Sequence, residues 1–187
     1  LDCVMFCDGA NGVVLMSKEA ARRRGISKAI RVSGYGERTH HGIRNSTRDL
    51  LQSGFTPAAA TAYQQAGIQV RDVQLLQLYD DFTIAVLIQL EHLGFCPVGE
   101  GIRFVLENDL AFNGNLPLNT GGGQLSAGQP GLASGGLSLV EAVRQMFGEA
   151  GDRQTSRIAN AVVTGIGGIA FGHNWMTSNV MVLEQLK

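Results

Sequence analysis

A chain of 187 residues, 44% hydrophobic and 17% charged, has the apolar content for one packed domain and too much of it for a disordered polypeptide. Lys and Arg number 15 against 16 acidic residues, so no basic excess points to nucleic acid or an anionic membrane surface. No apolar run approaches the roughly 18 residues of a spanning helix. The start, Leu1-Asp2-Cys3-Val4, does not read as a signal peptide. Cys3, Cys7 and Cys96 are odd in number and lack zinc-ligand spacing, so neither a disulfide framework nor a metal site is expected, and a cytoplasmic setting fits. Glycine is the unusual figure, at 25 residues, and it clusters between Gly114 and Gly172.

In chain order, the opening apolar run breaks at Asp8-Gly9, and Val13 to Met16 reads as a buried strand. Ser17 is an N-cap for a short helix over Lys18 to Arg24, ended by Gly25. Ile30 to Tyr35 predicts a strand, and Gly36 to Gly54, with His40, His41, Arg44 and Arg48, a long polar loop. Thr56-Pro57 marks a helix start, Ala58 to Ala66 its body and Gly67 its end. Asp72 to Leu78 predicts a buried strand, and Phe82 to Leu93 a largely enclosed helix closed by Gly94, with His92 facing solvent beside Glu91. Asn108 to Gly136 shows little periodicity. Leu137, Val140, Val143 and Phe147 then recur at helical spacing, with Glu141, Arg144 and Gln145 on other faces. Ala161 to Val163 and Asn179 to Leu183 are the final strands. Strands separated by helices give an α/β class with a mixed central sheet.

Three segments place small or polar residues where an apolar run ends, which is where α/β sheets present ligand sites. In Leu78-Tyr79-Asp80-Asp81-Phe82, the carboxylates complement a helix dipole or serve a cleft, and Tyr79 is either a donor at a strand end or a core aromatic with its hydroxyl satisfied. Gly121 to Gly131 leads to a helix near Ser134, and its glycines let backbone approach an anion or a developing oxyanion; it lacks the Gly-Lys-Ser/Thr of a phosphate loop. Thr164 to Gly172 is a Gly-rich turn or simply a wide hairpin. His173 is the one histidine beside such a segment.

These segments, in this order and at these separations, resemble the C-terminal half of the thiolase superfamily. The likeness is strongest to bacterial thiolase-like proteins related to sterol carrier protein thiolases, which are called lipid-transfer proteins or acetyl-CoA acetyltransferases. Asp8-Gly9-Ala10 is similar to the family's mid-chain Asp-Gly-Ala. Tyr79-Asp-Asp-Phe82 falls at His-Asp-Cys-Phe or Asn-Glu-Ala-Phe, Ser126-Ala-Gly-Gln-Pro-Gly131 at Gly-His-Pro, and Gly165-Ile-Gly-Gly168 at Cys-Ile-Gly-Gly. The resemblance covers residues 1–187 and implies a layered α/β/α domain, the second half of a protein that has two such halves and usually dimerises.

It also implies an acyl-CoA thioester as substrate, no bound cofactor, and an acyl-accepting cysteine in the first half rather than at Cys3, Cys7 or Cys96. The family's activating histidine is here Gln129, its oxyanion Asn or His is Tyr79, and its third-motif cysteine is Gly165. Glutamine has no proton equilibrium near neutral pH and cannot act as a general base. The expected catalytic set is therefore Tyr79, Gln129, His173 and Asp80, with Ser126, Gly128, Gly165, Gly167 and Gly168 against the thioester. Three activities follow. The first is thiolase-like acyl transfer. The second is retro-aldol cleavage of a bulky hydroxyacyl-CoA through Tyr79, beside a partner with an OB-fold and zinc ribbon, as in steroid side-chain aldolases. The third is an acyl-CoA-binding or structural role without catalysis.

Overall fold

Two glycines set how the first layers meet. Strand β1 (Ile30–Thr39) carries Gly34 and Gly36 beneath helix α2 (Phe55–Ala66). A methyl group on either would run into the carbonyl oxygen of Ala62 or Ala58, so backbone packs directly on backbone there. This relation comes from a computed structural model that describes residues 2–39, 51–156, 158–170 and 174–186.

The central sheet has the order β1-β6-β3-β2, with β2 Leu76–Gln77, β3 Asn160–Ile166 and β6 Thr177–Gln185. Strand β6 is antiparallel to both neighbours, and β2 runs parallel to β3 with Leu76 opposite Val162. Side chains alternate across it as strand geometry requires. Val162, Val180 and Val182 enter a core with α2 and helix α3 (Thr83–His92); Phe55 meets Trp175 edge-on there at 5.9 Å. Ala161, Val163 and Leu183 enter a second core with Ala142 and Met146 of helix α6 (Ser134–Phe147). Helices thus cover both faces, the layered α/β arrangement expected.

The remaining elements are α1 (Lys18–Arg23), α4 (Gly101–Glu107), α5 (Gly123–Ala127) and the hairpin β4 (Ile169–Ala170) with β5 (Asn174–Trp175). Ser17 caps α1 as expected, accepting from the Ala20 N–H at 3.1 Å. Gly67 closes α2 at φ 68°.

Several expectations are corrected. Val13 to Met16 forms no strand and is exposed, with Val14 and Leu15 each 84% accessible. It pairs with nothing among the described residues, so its N–H and C=O groups are left to water. Strand β1 continues to Thr39, since Thr39 still pairs with Thr177; residues 40–50, with His40, His41, Arg44 and Arg48, lie outside the described residues. Helix α2 begins at Phe55, where the Ser53 hydroxyl accepts the Phe55 N–H. The strand expected from Asp72 shrinks to Leu76–Gln77 because Val70–Asp72 turns as a 3-10 helix. The first turn of α3 is open, with Phe82 and Ile84 exposed. His92 is half-buried, its Nδ1 2.6 Å from the Ser53 hydroxyl.

The buried face of α6 is also not the expected one. Ser134, Ser138, Glu141, Ala142, Gln145 and Met146 are enclosed, while Leu137, Val140, Val143 and Phe147 are only half-buried. The polar face wins because it meets loops with unpaired groups. Glu141 accepts from Thr120 at 2.9 Å and from Arg144 and Arg153 at 3.3 and 3.4 Å, and Gln145 donates to the Arg153 carbonyl at 2.8 Å. A buried polar network of this kind survives only when its members find partners.

Candidate active site at the end of strand β2

Just after β2 the chain is clamped from beneath. Tyr79 N–H donates to the Thr164 hydroxyl at 2.9 Å, and that hydroxyl donates to Gln89 Oε1 at 2.6 Å. Gln89 Nε2 closes the ring on the Tyr79 carbonyl at 2.7 Å. Gln89, Thr164 and Tyr79 are all buried. A backbone held on both sides fixes the Cα–Cβ direction from which the Tyr79 ring projects.

Its hydroxyl lies 3.0 Å from Ser134 Oγ, at the first residue of α6, and accepts from Gln129 Nε2 at 3.3 Å. Gln129 Nε2 also donates to Gln124 Oε1 at 3.3 Å. The three motif-bearing stretches thus contribute two side chains to one cluster, Tyr79 and Gln129, joined by Ser134 and Gln124. Sequence reasoning named the helix start at Ser134 but missed Gln124, which is fully buried inside the Gly-rich segment.

Asp80 does something else. Its carboxylate accepts the Gln124 N–H at 2.7 Å and the Leu125 N–H at 3.4 Å, capping the N-terminus of α5 from a distant part of the chain. Burial pushes this carboxyl above the usual carboxylate range, against the opposing pull of those N–H groups. Gly123 is required beneath it, because its φ is 59° and a side chain would strike the Asp80 carboxylate. Asp80 therefore fixes the loop that carries Gln129 and does not reach the Tyr79 hydroxyl through any hydrogen bond among the described residues. Asp81 is raised too, chiefly by burial and further by Asp80, and its buried Oδ1 makes no hydrogen bond among the described residues.

The N-terminal segment straps this site, a contact no sequence pattern announced. Val4 N–H donates to the Asp81 carbonyl at 3.0 Å, and Thr83 N–H donates to the Asp2 carbonyl at 3.2 Å. Farther along, Gln129 N–H donates to Met5 O at 2.8 Å and Cys7 N–H to Gln129 O at 3.2 Å. Residues 2–7 thereby tie the Tyr79 loop to the Gln129 loop. Gly128, buried at φ 101°, must lack a side chain because Cys7 lies against it.

The other expected site residues fall at varying positions. Ser126 is exposed on α5. Gly165 packs against the Asn179 amide and Gly167 against Thr177, while Gly168 turns the chain at φ 125°. They continue the strand whose Thr164 anchors Tyr79, but no hydrogen bond among the described residues joins them to Gln129. His173 lies outside the described residues. No cluster of His, Cys, Asp and Glu among the described residues is arranged to hold a metal ion. No helix among them is long and apolar enough to cross a membrane. A cavity of about 240 Å³ lies behind the Gly-rich loop, between Gly121, Gly123 and the Glu141–Arg144–Arg153 network.

Residues 36–185 match the family described as thiolase C-terminal domain-like. The chain belongs to that family. It is 35% identical over 167 residues to the benzoylsuccinyl-CoA thiolase subunit BbsB of Thauera aromatica, covering 89% of this chain and 43% of that one. It is 34% identical to a steroid side-chain-cleaving aldolase of Thermomonospora curvata, over 88% of this chain and 42% of the other. It is 31% identical to sterol carrier protein 2 of Oryctolagus cuniculus, over 91% and 32%. Among solved structures, a Ltp2-ChsH2(DUF35) aldolase superposes with a TM-score of 0.67 at 28% identity, covering 83% of this chain and 39% of that one. This thiolase-type domain therefore spans less than half the length of the relatives it matches.

Proposed function

We propose that this domain is the C-terminal half of a thiolase-like protein that binds an acyl-CoA thioester. It would work beside the thioester carbonyl with neutral hydrogen-bonding groups rather than an imidazole. The observation that carries this is the Gln129–Tyr79–Ser134 contact at the strand end of a thiolase-type domain. The remainder of the site would come from an N-terminal thiolase half, in a homodimer of the cytoplasm, with no bound cofactor.

Two chemistries suit such a site, and acyl transfer is the leading one. A cysteine of the first half would attack the thioester carbon and release CoA as its thiol, leaving an acyl-enzyme. Intact mass spectrometry of the full-length protein with acetyl-CoA and longer acyl-CoAs tests this. An acyl adduct on that cysteine supports it. Thioester binding without an adduct moves the assignment to the second chemistry or to a binding role, and failure to bind any CoA thioester in calorimetry ends the whole reading.

The second chemistry is retro-aldol cleavage of a β-hydroxyacyl-CoA. The buried Tyr79 hydroxyl and the absence of a base at Gln129 favour it, and two relatives carry the name aldolase. A base takes the β-hydroxyl proton, the C–O bond becomes a carbonyl, and the Cα–Cβ electron pair passes to the thioester enolate, which an acid protonates at Cα. Tyr79 would be that acid or base, and an OB-fold and zinc-ribbon protein the partner. Tyr79→Phe is expected to slow cleavage by roughly 10² to 10⁴-fold while thioester affinity stays within a few-fold. Unchanged turnover would remove Tyr79 from the reaction.

A further inference from the structure

Gln129 and Gln124 form an amide pair with two polarities. As the chain is arranged, Gln129 Nε2 donates both to Gln124 Oε1 and to the Tyr79 hydroxyl, each at 3.3 Å. Its Oε1 makes no hydrogen bond among the described residues, and Gln129 is half-buried, so an acceptor stands open beside Tyr79. Gln124 is fully buried and its Nε2 has no partner among the described residues. Turning both amides over by half a turn keeps both contacts. Gln124 Nε2 then donates to Gln129 Oε1, the Tyr79 hydroxyl rotates to donate to the same oxygen, and Gln129 Nε2 becomes the open group. That second arrangement gives the orphaned donor a partner and leaves a buried carbonyl instead, the better tolerated orphan. Each polarity therefore leaves one buried amide atom of Gln124 without a partner, and neither satisfies the pair completely.

We propose that Gln129, held by Gln124 and Tyr79, recognises the oxygen on the β-carbon of the acyl group, as a hydroxyl in one amide polarity and as a carbonyl in the other. This rests on the acyl-CoA reading above. A carbon–carbon bond next to a thioester breaks only when the β-carbon bears an oxygen that is, or becomes, a carbonyl. A site for such substrates meets a hydrogen-bond donor at one stage and an acceptor at another. Histidine meets both by changing its protonation; this amide meets both by turning over. Gln124 is the positioning residue and Gln129 the specificity residue.

Calorimetry on the full-length protein with three chain-matched CoA thioesters, unsubstituted, 3-hydroxy and 3-oxo, tests this. The wild type is expected to bind both oxygenated thioesters about tenfold more tightly than the unsubstituted one, the gain of one hydrogen bond. Gln129→Met should remove both preferences, bringing the three thioesters to one common affinity. Gln129→Glu, with acceptors only, should keep the preference for the hydroxyl and lose that for the carbonyl. A wild type indifferent to the β-oxygen overturns the proposal. So does a Gln129→Met variant that keeps the preference, including one that weakens all three thioesters by the same factor. If no thioester binds at all, it is the acyl-CoA reading that fails.

Discussion

Asp80 and Asp81 are adjacent carboxylates with separate environments. Asp80 spends its oxygens on the N–H groups of α5, whereas Asp81 keeps a buried oxygen without a partner among the described residues. Both are raised above the ordinary carboxylate range, mainly by burial. A carboxyl whose folded pKa is raised is held more tightly as the neutral acid. Its stabilising contribution is complete below the unfolded value and is lost as pH rises through the folded one. The stability difference between Asp81→Asn and wild type should therefore move in favour of the variant over the range above the unfolded carboxylate value of about 4. Urea titrations across that range check this, and a difference independent of pH would show that Asp81 is not raised. From sequence, the pair could be read as helix-dipole complements or as acids of a cleft, with Asp80 in the expected catalytic set. Which of the two finds N–H donors depends on a helix start that lies 44 residues away from Asp80.

At the scale of elements, legibility followed hydrophobic periodicity where burial was simple and failed where a polar partner decided it. Strands β3 and β6 and helix α2 stand out because their Val, Leu and Ala residues face packed layers. Helix α5 was invisible: it has five residues, starts at a glycine and takes its cap from Asp80. The face of α6 was misread because its buried Glu141 and Gln145 look like surface residues until Thr120 and Arg153 are placed beside them. The same contrast separates two glycines. Gly36→Ala puts a methyl group into the Ala58 carbonyl and should cost roughly 1–3 kcal/mol by forcing β1 and α2 apart. Gly135, inside α6, has nothing within 4 Å of where a Cβ would sit. Gly135→Ala should instead raise stability by about 0.5–1 kcal/mol through lost unfolded-state freedom. Thermal melts of the two variants are expected to move in opposite directions; a common rise would mean that the β1–α2 contact yields without cost, and a common fall that α6 does not accept a methyl group at Gly135.

Across the whole molecule, three motifs were legible one at a time, but their meeting was not. Tyr79 and Ser134 are 55 positions apart, and only the sheet order and the strap of residues 2–7 bring Gln129 to them. That strap belongs to a stretch whose apolar side chains face water. Phe6 is 83% exposed, and Val14 and Leu15 are contiguous at 84% each. Soluble domains rarely leave contiguous apolar surface uncovered. In the 187-residue chain by itself this stretch should drive association. Substituting Val14→Ser together with Leu15→Ser removes apolar area that packs on nothing, so unfolding stability should stay within about 0.5 kcal/mol of wild type. The substituted chain should nonetheless run at lower mass in light scattering at equal concentration. Association that persists unchanged would place the sticky surface elsewhere, with the exposed stripe of Ile102, Val105 and Leu106 on α4 next to be substituted.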